Sequence, residues 1–231
     1  MQSQITKLPK AVFFDQDGVL FDSMPFHADA WVKAMGKYNL PYTALDVYRN
    51  EGRTGSGVIR ELYQRVYNKD ISQEIIDDIY AYKSNQFIEL TGGKLPNLIP
   101  DIRSVLSYLK SQSVDCWVVT GSGQRNLINN LNNTFEGIFT GIISAFDVTH
   151  GKPHPEPYLK AWERCGFPKE ECAVVENAPL GIQAAKAAGL FCFAVNTGIL
   201  PDSDLTEAGA DMVLPSMAAL LELLQSVTSN Q

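Results

Sequence analysis

Four short apolar runs punctuate the chain, at 11–14, 115–119 (after its leading Asp115), 173–175 and 191–195. Each is too short for a helix. Unbroken apolar character over four or five residues marks strands covered on both faces, as in a parallel sheet. Between them, segments 102–111, 124–131, 156–165 and 180–188 repeat apolar residues at spacings of three and four, which predicts helices, and Gly189 is placed to stop the last one. A weaker strand at 212–214 precedes a final helix at 217–224. Strands alternating with helices predict an α/β fold, a doubly wound (Rossmann-like) parallel sheet with right-handed crossovers.

Residues 23–92 break that alternation. They carry helical patterns only, at 26–38, 58–67 and 74–90. An all-helical block inserted after the first strand predicts a cap domain at 23–92 on a core made of 1–22 and 93–231. Its hinges are expected near 21–24 and at the turn Thr91-Gly92-Gly93-Lys94.

Composition narrows the function more than the fold. Across 231 residues, 19 Lys and Arg face 26 Asp and Glu, a net charge of −7. That balance argues against a nucleic-acid surface, which needs clustered Lys and Arg. It leaves room for a small phosphorylated substrate, because a bound cation can supply local positive charge. No stretch approaches the ~20 apolar residues of a membrane span, so no membrane partner is expected. The polar start of the chain lacks a signal-peptide pattern, and a cytoplasmic location is the expectation. Cys116 and Cys192 sit in apolar runs as small core residues. Cys165 and Cys172 lie close enough in sequence to pair, but reduced thiols are expected in that compartment.

The predicted strand tips concentrate chemistry. In open parallel sheets, ligands bind beyond the carboxyl ends of the strands. The first strand ends in Asp15-Gln16-Asp17-Gly18 and the second in Thr120-Gly121-Ser122-Gly123. The third ends in Glu176-Asn177-Ala178-Pro179-Leu180-Gly181, and a loop between the second and third carries Gly151-Lys152-Pro153-His154. Two carboxylates two residues apart in a cleft need a cation to offset their repulsion. The oxygen donors of Asp15, Glu176 and Asn177 suit Mg²⁺. Thr120 and Ser122 offer hydroxyl and backbone N–H donors for phosphate oxygens, and Lys152 adds one positive charge. Phosphoryl transfer needs mainly such positioning and charge stabilisation. Any one of these motifs alone is more often a turn; their joint placement on one sheet edge points to a site.

Taken in this order, the four motifs closely resemble those of the haloacid dehalogenase (HAD) superfamily. The likeness extends over essentially the whole chain and includes the helical cap of its β-phosphoglucomutase-like subgroup. That resemblance implies an aspartyl-phosphate on Asp15 and acid–base work by Asp17. It implies phosphoryl binding by Thr120 and Lys152, helped by Gly121 and Ser122. Mg²⁺ would be held by Asp15, the Asp17 carbonyl, Glu176 and Asn177, the last standing where the family more often has Asp.

In the cap, Asn50-Glu51-Gly52-Arg53-Thr54-Gly55 occupies the place of a sugar-phosphate-gripping loop, with an acidic residue before the glycine and Gly55 where the mutases keep arginine. With Glu176-Asn177-Ala178-Pro179-Leu180-Gly181, this resembles bacterial HAD-type inorganic pyrophosphatases. Glu51 would then face the metal through water, or else is a solvated turn residue. Arg53 and Lys83 are expected near the substrate, with a solvated helix face the competing reading for Lys83. His27 and Trp31 are expected to pack the cap, and His150 and His154 to be loop residues. The implied activity is a monomeric Mg²⁺-dependent phosphohydrolase acting on pyrophosphate. The alternatives are a β-phosphoglucomutase or sugar-phosphate phosphatase, and a phospho-acceptor signalling domain, which this chain exceeds in length.

Overall fold

A computed structural model describes residues 5–122 and 125–229; Gly123 and Gln124, where the second motif ends and its helix was expected to begin, lie outside them. The expected runs form strands β1 (Ala11–Phe14), β2 (Asp115–Val119), β4 (Cys172–Glu176), β5 (Phe191–Val195) and β6 (Met212–Leu214). A further strand, β3 (Phe139–Ile143), was not expected. Its sequence Phe-Thr-Gly-Ile-Ile breaks the apolar run with two adjacent residues, Thr140 and Gly141, so it reads as neither a buried nor an alternating strand. Gly141 is required there, because a Cβ would meet the Trp117 ring at 2.3 Å. All pairings are parallel, in the order β3-β2-β1-β4-β5-β6.

The period of two along each strand divides the core into layers. Ala11 and Phe13 point with Val119, Val174 and Cys192 to one side, under α7 (Glu156–Cys165), α8 (Pro179–Ala187) and α9 (Asp202–Glu207). Val12 and Phe14 point with Val118, Val175 and Val195 to the other, under α5 (Ile102–Ser111), α6 (Arg125–Thr134) and α10 (Met217–Ser229). Tyr108 on α5 bonds the Thr228 hydroxyl on α10 at 2.7 Å. The α/β expectation therefore holds, with helices on both faces of a parallel sheet.

The chain from α1 (Met24–Lys37) through α2 (Ala44–Arg49), α3 (Gly55–Tyr67) and α4 (Gln73–Thr91) is helical throughout. It has an apolar cluster of its own around Met35, Leu40, Ile59, Ile76 and Ile79. Helices α2 and α9 span six residues each, too few for a periodic pattern to register; α2 owes its start to a capping box in which Thr43 and Asp46 bond each other's backbone N–H. Thr91 is followed by Gly92 at φ 60, a left-handed stop. The two passages linking these helices to the sheet run side by side: Asp22 N–H donates to Asn97 C=O at 2.8 Å and Ile99 N–H to Leu20 C=O at 3.0 Å. Among the described residues no helix is long and apolar enough to cross a membrane.

Ile79 is fully buried in the helical block, whereas Val66 is 37% exposed. Ile79→Ala should lower unfolding free energy by about 2–5 kcal/mol through lost burial and a residual cavity, and Val66→Ala by less than about 1 kcal/mol. Denaturant titration measures both, and equal losses at the two positions would contradict this packing.

Candidate active site

The strand order decides which side chains meet. β1 lies between β2 and β4, and Asp15 N–H extends the ladder to Val175 C=O at 3.0 Å, setting its carboxylate beside the tip of β4. The chain then turns sharply: the Gln16 carbonyl accepts from the N–H groups of Leu20 and Phe21, and Gly18 N–H donates to Phe21 C=O. Gly18 has φ +78, and a Cβ there would lie 2.0 Å from Asn177 Nδ2. Only glycine fits both the backbone and the neighbour.

Lys152 reaches in from the loop after β3. Its Nζ donates to Asp15 Oδ1 at 2.5 Å, Glu176 Oε1 at 2.6 Å and Val119 C=O at 3.2 Å, and all three charged side chains are buried. Glu176 is fully engaged. Its Oε1 also accepts from the Tyr158 hydroxyl at 2.7 Å, while its Oε2 accepts from the N–H groups of Asn177 and Ala178. Gly181 leaves the space this carboxylate fills, since a Cβ would sit 1.8 Å from Glu176 Oε1. Thr120 is buried behind this group, its N–H bonded to Ile143 C=O and its hydroxyl accepting from Ser122 N–H at 3.0 Å.

The helical block contributes from above. Glu51, between α2 and α3, accepts from Asn177 Nδ2 at 3.2 Å, and Gly52 packs against the Lys152 side chain. Asp17 Oδ1 accepts from Ser23 Oγ at 2.6 Å and lies 3.6 Å from His27 Nε2. The other ring nitrogen of His27 meets Lys83 Nζ at 2.9 Å, and the ring stacks on Phe87. Lys83 also lies over the Trp31 and Phe87 rings.

These groups surround one cavity of about 510 Å³, lined from the core by Asp15, Asp17, Gly121, Ser122, Lys152 and Glu176. From the helical block it is lined by Glu51, Arg53 and Lys83. Thr120 and Asn177 are buried directly beside these residues, bonded to Ser122 and Glu51 respectively. Arg53 reaches the cavity but carries its charge to Glu61, at 2.6 Å. Lys83 is a buried residue of the site, not a solvated helix-face lysine. His27 faces Asp17, beyond the packing role expected for it. Ser23 and Tyr158 were not singled out in the sequence; Ser23, four residues before His27 at the entrance to α1, is the only one of the two with a readable signal.

The electrostatics leave an excess of negative charge. Burial pushes the Asp15 carboxyl up; Lys152 opposes this while Glu176 and Asp17 reinforce it, and the result is about 7. Burial, then Asp15, Glu176 and Asp17, raise Glu51 well above the ordinary range. Burial would also raise Asp17, but bonds from His27 and Ser23 outweigh it and hold the group at about 2. Burial lowers Lys83 to about 8 against the pull of Asp17. Buried oxygens of Glu51 (Oε1), Asn177 (Oδ1) and Gln16 (Oε1) have no hydrogen-bond partner among the described residues. Unpaired buried acceptors beside clustered carboxylates are the environment of a hard cation, so this donor set fits Mg²⁺.

Comparison with known proteins agrees with the fold. A haloacid dehalogenase-like hydrolase family profile matches residues 9–189. A phosphorylated carbohydrates phosphatase of Thermotoga maritima is 30% identical over 94% of this chain and 99% of its own. A phosphoglycolate phosphatase of Pseudomonas savastanoi is 27% identical over 93% of this chain and 79% of its own. The solved structure of a candidate beta-phosphoglucomutase from Bacteroides vulgatus is 43% identical, covers 96% of this chain and 90% of its own, and superposes with a TM-score of 0.86. None of these three is named as a pyrophosphatase. The chain belongs to the haloacid dehalogenase-like hydrolases, in their β-phosphoglucomutase-like group.

Proposed function

We propose that the protein is a Mg²⁺-dependent phosphohydrolase of small phosphorylated carbohydrates, acting through an aspartyl-phosphate on Asp15. The carrying observation is the buried Asp15 carboxylate, held by Lys152 at the floor of a 510 Å³ cavity with Asp17 alongside. One Asp15 oxygen attacks phosphorus, and the bond to the leaving oxygen breaks. That oxygen takes its proton from Asp17. Ser23 and His27 favour ionised Asp17 in the resting site, and an arriving phosphate raises the cost of that charge, favouring the protonated acid. In the second half, Asp17 accepts a proton from water as the water oxygen attacks phosphorus, and the Asp15–phosphorus bond breaks to release phosphate. Lys152 and the backbone at Gly121–Ser122 offset charge on the transferring group. Mg²⁺, when bound by Asp15, the Asp17 carbonyl and Asn177 with Glu51 close by, supplies charge neutralisation between the carboxylate and phosphate. Glu176, already saturated with hydrogen bonds, orients Lys152 and adds charge to that site.

The carbohydrate class is supported by the cavity, which is far roomier than a second phosphate needs and is walled by Trp31, Tyr42, Tyr80 and Phe87. It is supported too by the phosphorylated carbohydrates phosphatase among the relatives. A second reading, pyrophosphate, is favoured by one observation: Glu51 stands in the cavity beside Asn177, where a carboxylate narrows the space for an organic leaving group.

Purified enzyme should release phosphate from hexose and pentose phosphates in Mg²⁺, faster than from pyrophosphate. Chelation should stop turnover, and Asp15→Asn should lower kcat about 10³-fold or more, as expected for loss of a nucleophile. A panel led by pyrophosphate would transfer the assignment to the second reading; full activity in Asp15→Asn would remove both. Glu51→Gln should raise the Mg²⁺ concentration for half-maximal rate by roughly fivefold to tenfold, about 1 kcal/mol of lost attraction. An unchanged Mg²⁺ titration would take Glu51 out of the metal site.

A further inference from the structure

The loop that delivers Lys152 carries a second group of ligands on its outer side. His150, His154 and Glu156 each offer one donor atom, and the three donors lie within 4.8 Å of one another. The imidazoles of His150 and His154 have centroids 4.6 Å apart at a tilt of 34°. His150 Nδ1 is 3.1 Å from Glu156 Oε2. Two donors that far apart, each about 2.1 Å from one ion, subtend roughly 95° at it, within the range of a distorted tetrahedral or an octahedral site. Donors as far apart as 4.8 Å must close by up to roughly 1.4–1.8 Å to share one ion at about 2.1 Å, which rotation of an exposed imidazole provides.

The carboxylate is already in place. Glu156 opens α7 and accepts N–H bonds from Thr149 at 2.9 Å and from His150 at 2.8 Å. Those two bonds hold the carboxylate in position at the start of the helix. His154 Nδ1 accepts the Glu156 N–H at 3.2 Å, which sets that ring over the helix start with Nε2 free to face an ion. Lys160, 3.1 Å away, approaches the other carboxylate oxygen, Oε1, and leaves the histidine side open.

We propose that His150, His154 and Glu156 form a binding site for one transition-metal ion of the Zn²⁺ class, on the outer face of the loop that carries Lys152. Two imidazoles and a carboxylate suit Zn²⁺, Co²⁺, Ni²⁺ or Cu²⁺. They do not suit Mg²⁺, which takes oxygen donors. The inner site, all carboxylate, amide and carbonyl oxygen, has the opposite preference, so the two positions sort ions by softness. An ion bridging residues 150, 154 and 156 braces the loop on both sides of Lys152. The site itself stands on its own geometry; only that effect on Lys152 rests on the proposed phosphohydrolase function.

The test uses untagged full-length protein in millimolar Mg²⁺, which keeps oxygen sites filled. Equilibrium dialysis should find one Zn²⁺ per chain. His150→Ala and His154→Ala should each weaken it at least about tenfold, the loss of one ligand in three. Asp15→Asn and Cys165→Ser should bind as the unaltered chain does. Co²⁺ should give visible absorption bands that disappear in His150→Ala, and Zn²⁺ should raise Tm only where the site is intact. His154→Gln replaces His154→Ala if the latter unfolds. Zn²⁺ binding that survives both histidine changes, or that vanishes in Asp15→Asn, overturns the proposal. Phosphatase activity in Mg²⁺ alone should be unaffected by His150→Ala, and an inactive unaltered enzyme would refute the proposed function without touching the dialysis result.

Discussion

A buried ammonium between two buried carboxylates organises this molecule. Lys152 cannot sit out of water unless paired, and removing one partner of such a group costs about 3–5 kcal/mol because the remaining charge stays buried. Its partners come from adjacent strands, Asp15 from β1 and Glu176 from β4, brought together by the register that sets Phe14 opposite Val175. Its third acceptor, the Val119 carbonyl, ends β2. One side chain therefore ties three strand tips together. The charged trio itself carries one negative charge in excess, and the raised Asp15 expresses it.

The inner strands could be read from the chain because burial on both faces demands continuous apolar residues. β3 could not, since it lies at the sheet edge and its Gly141 exists to admit the Trp117 ring, a contact from another strand. The six-residue helices α2 and α9 were invisible for want of length. At the site, Asp15, Asp17 and Glu176 announced themselves by falling at predicted strand ends, and Lys152 by its Gly-Lys-Pro loop between two of them. His27 did not, because a histidine one turn from a tryptophan on a helix looks like packing; its approach to Asp17 depends on where α1 settles over the sheet. Tyr158 carries no local signal at all. Its bond to Glu176 arises from α7 lying across the strand tips.

Substrate preference was the least legible property for a related reason. Motif residues define the floor of the cavity, where the phosphoryl group reacts. Its roof is made of aromatic and charged residues drawn from α1, α4 and the turns flanking α2, so its size follows from how helices pack. The Glu-Gly-Arg-Thr-Gly segment reads as a pyrophosphate signature in one dimension. In three dimensions, Arg53 is bound to Glu61 and the remaining space is large.

The side-by-side passages between sheet and helical block bear on how the chain folds. β1 and β2 are hydrogen-bonded neighbours, yet the whole block separates them in sequence. Joining them directly closes a very long loop, and long-range pairings of that kind slow folding. Closing the two passages on each other, through Asp22 to Asn97 and Leu20 to Ile99, shortens the path that remains. Once this narrow waist is closed, the distant pairing of β1 with β2 becomes a nearby one.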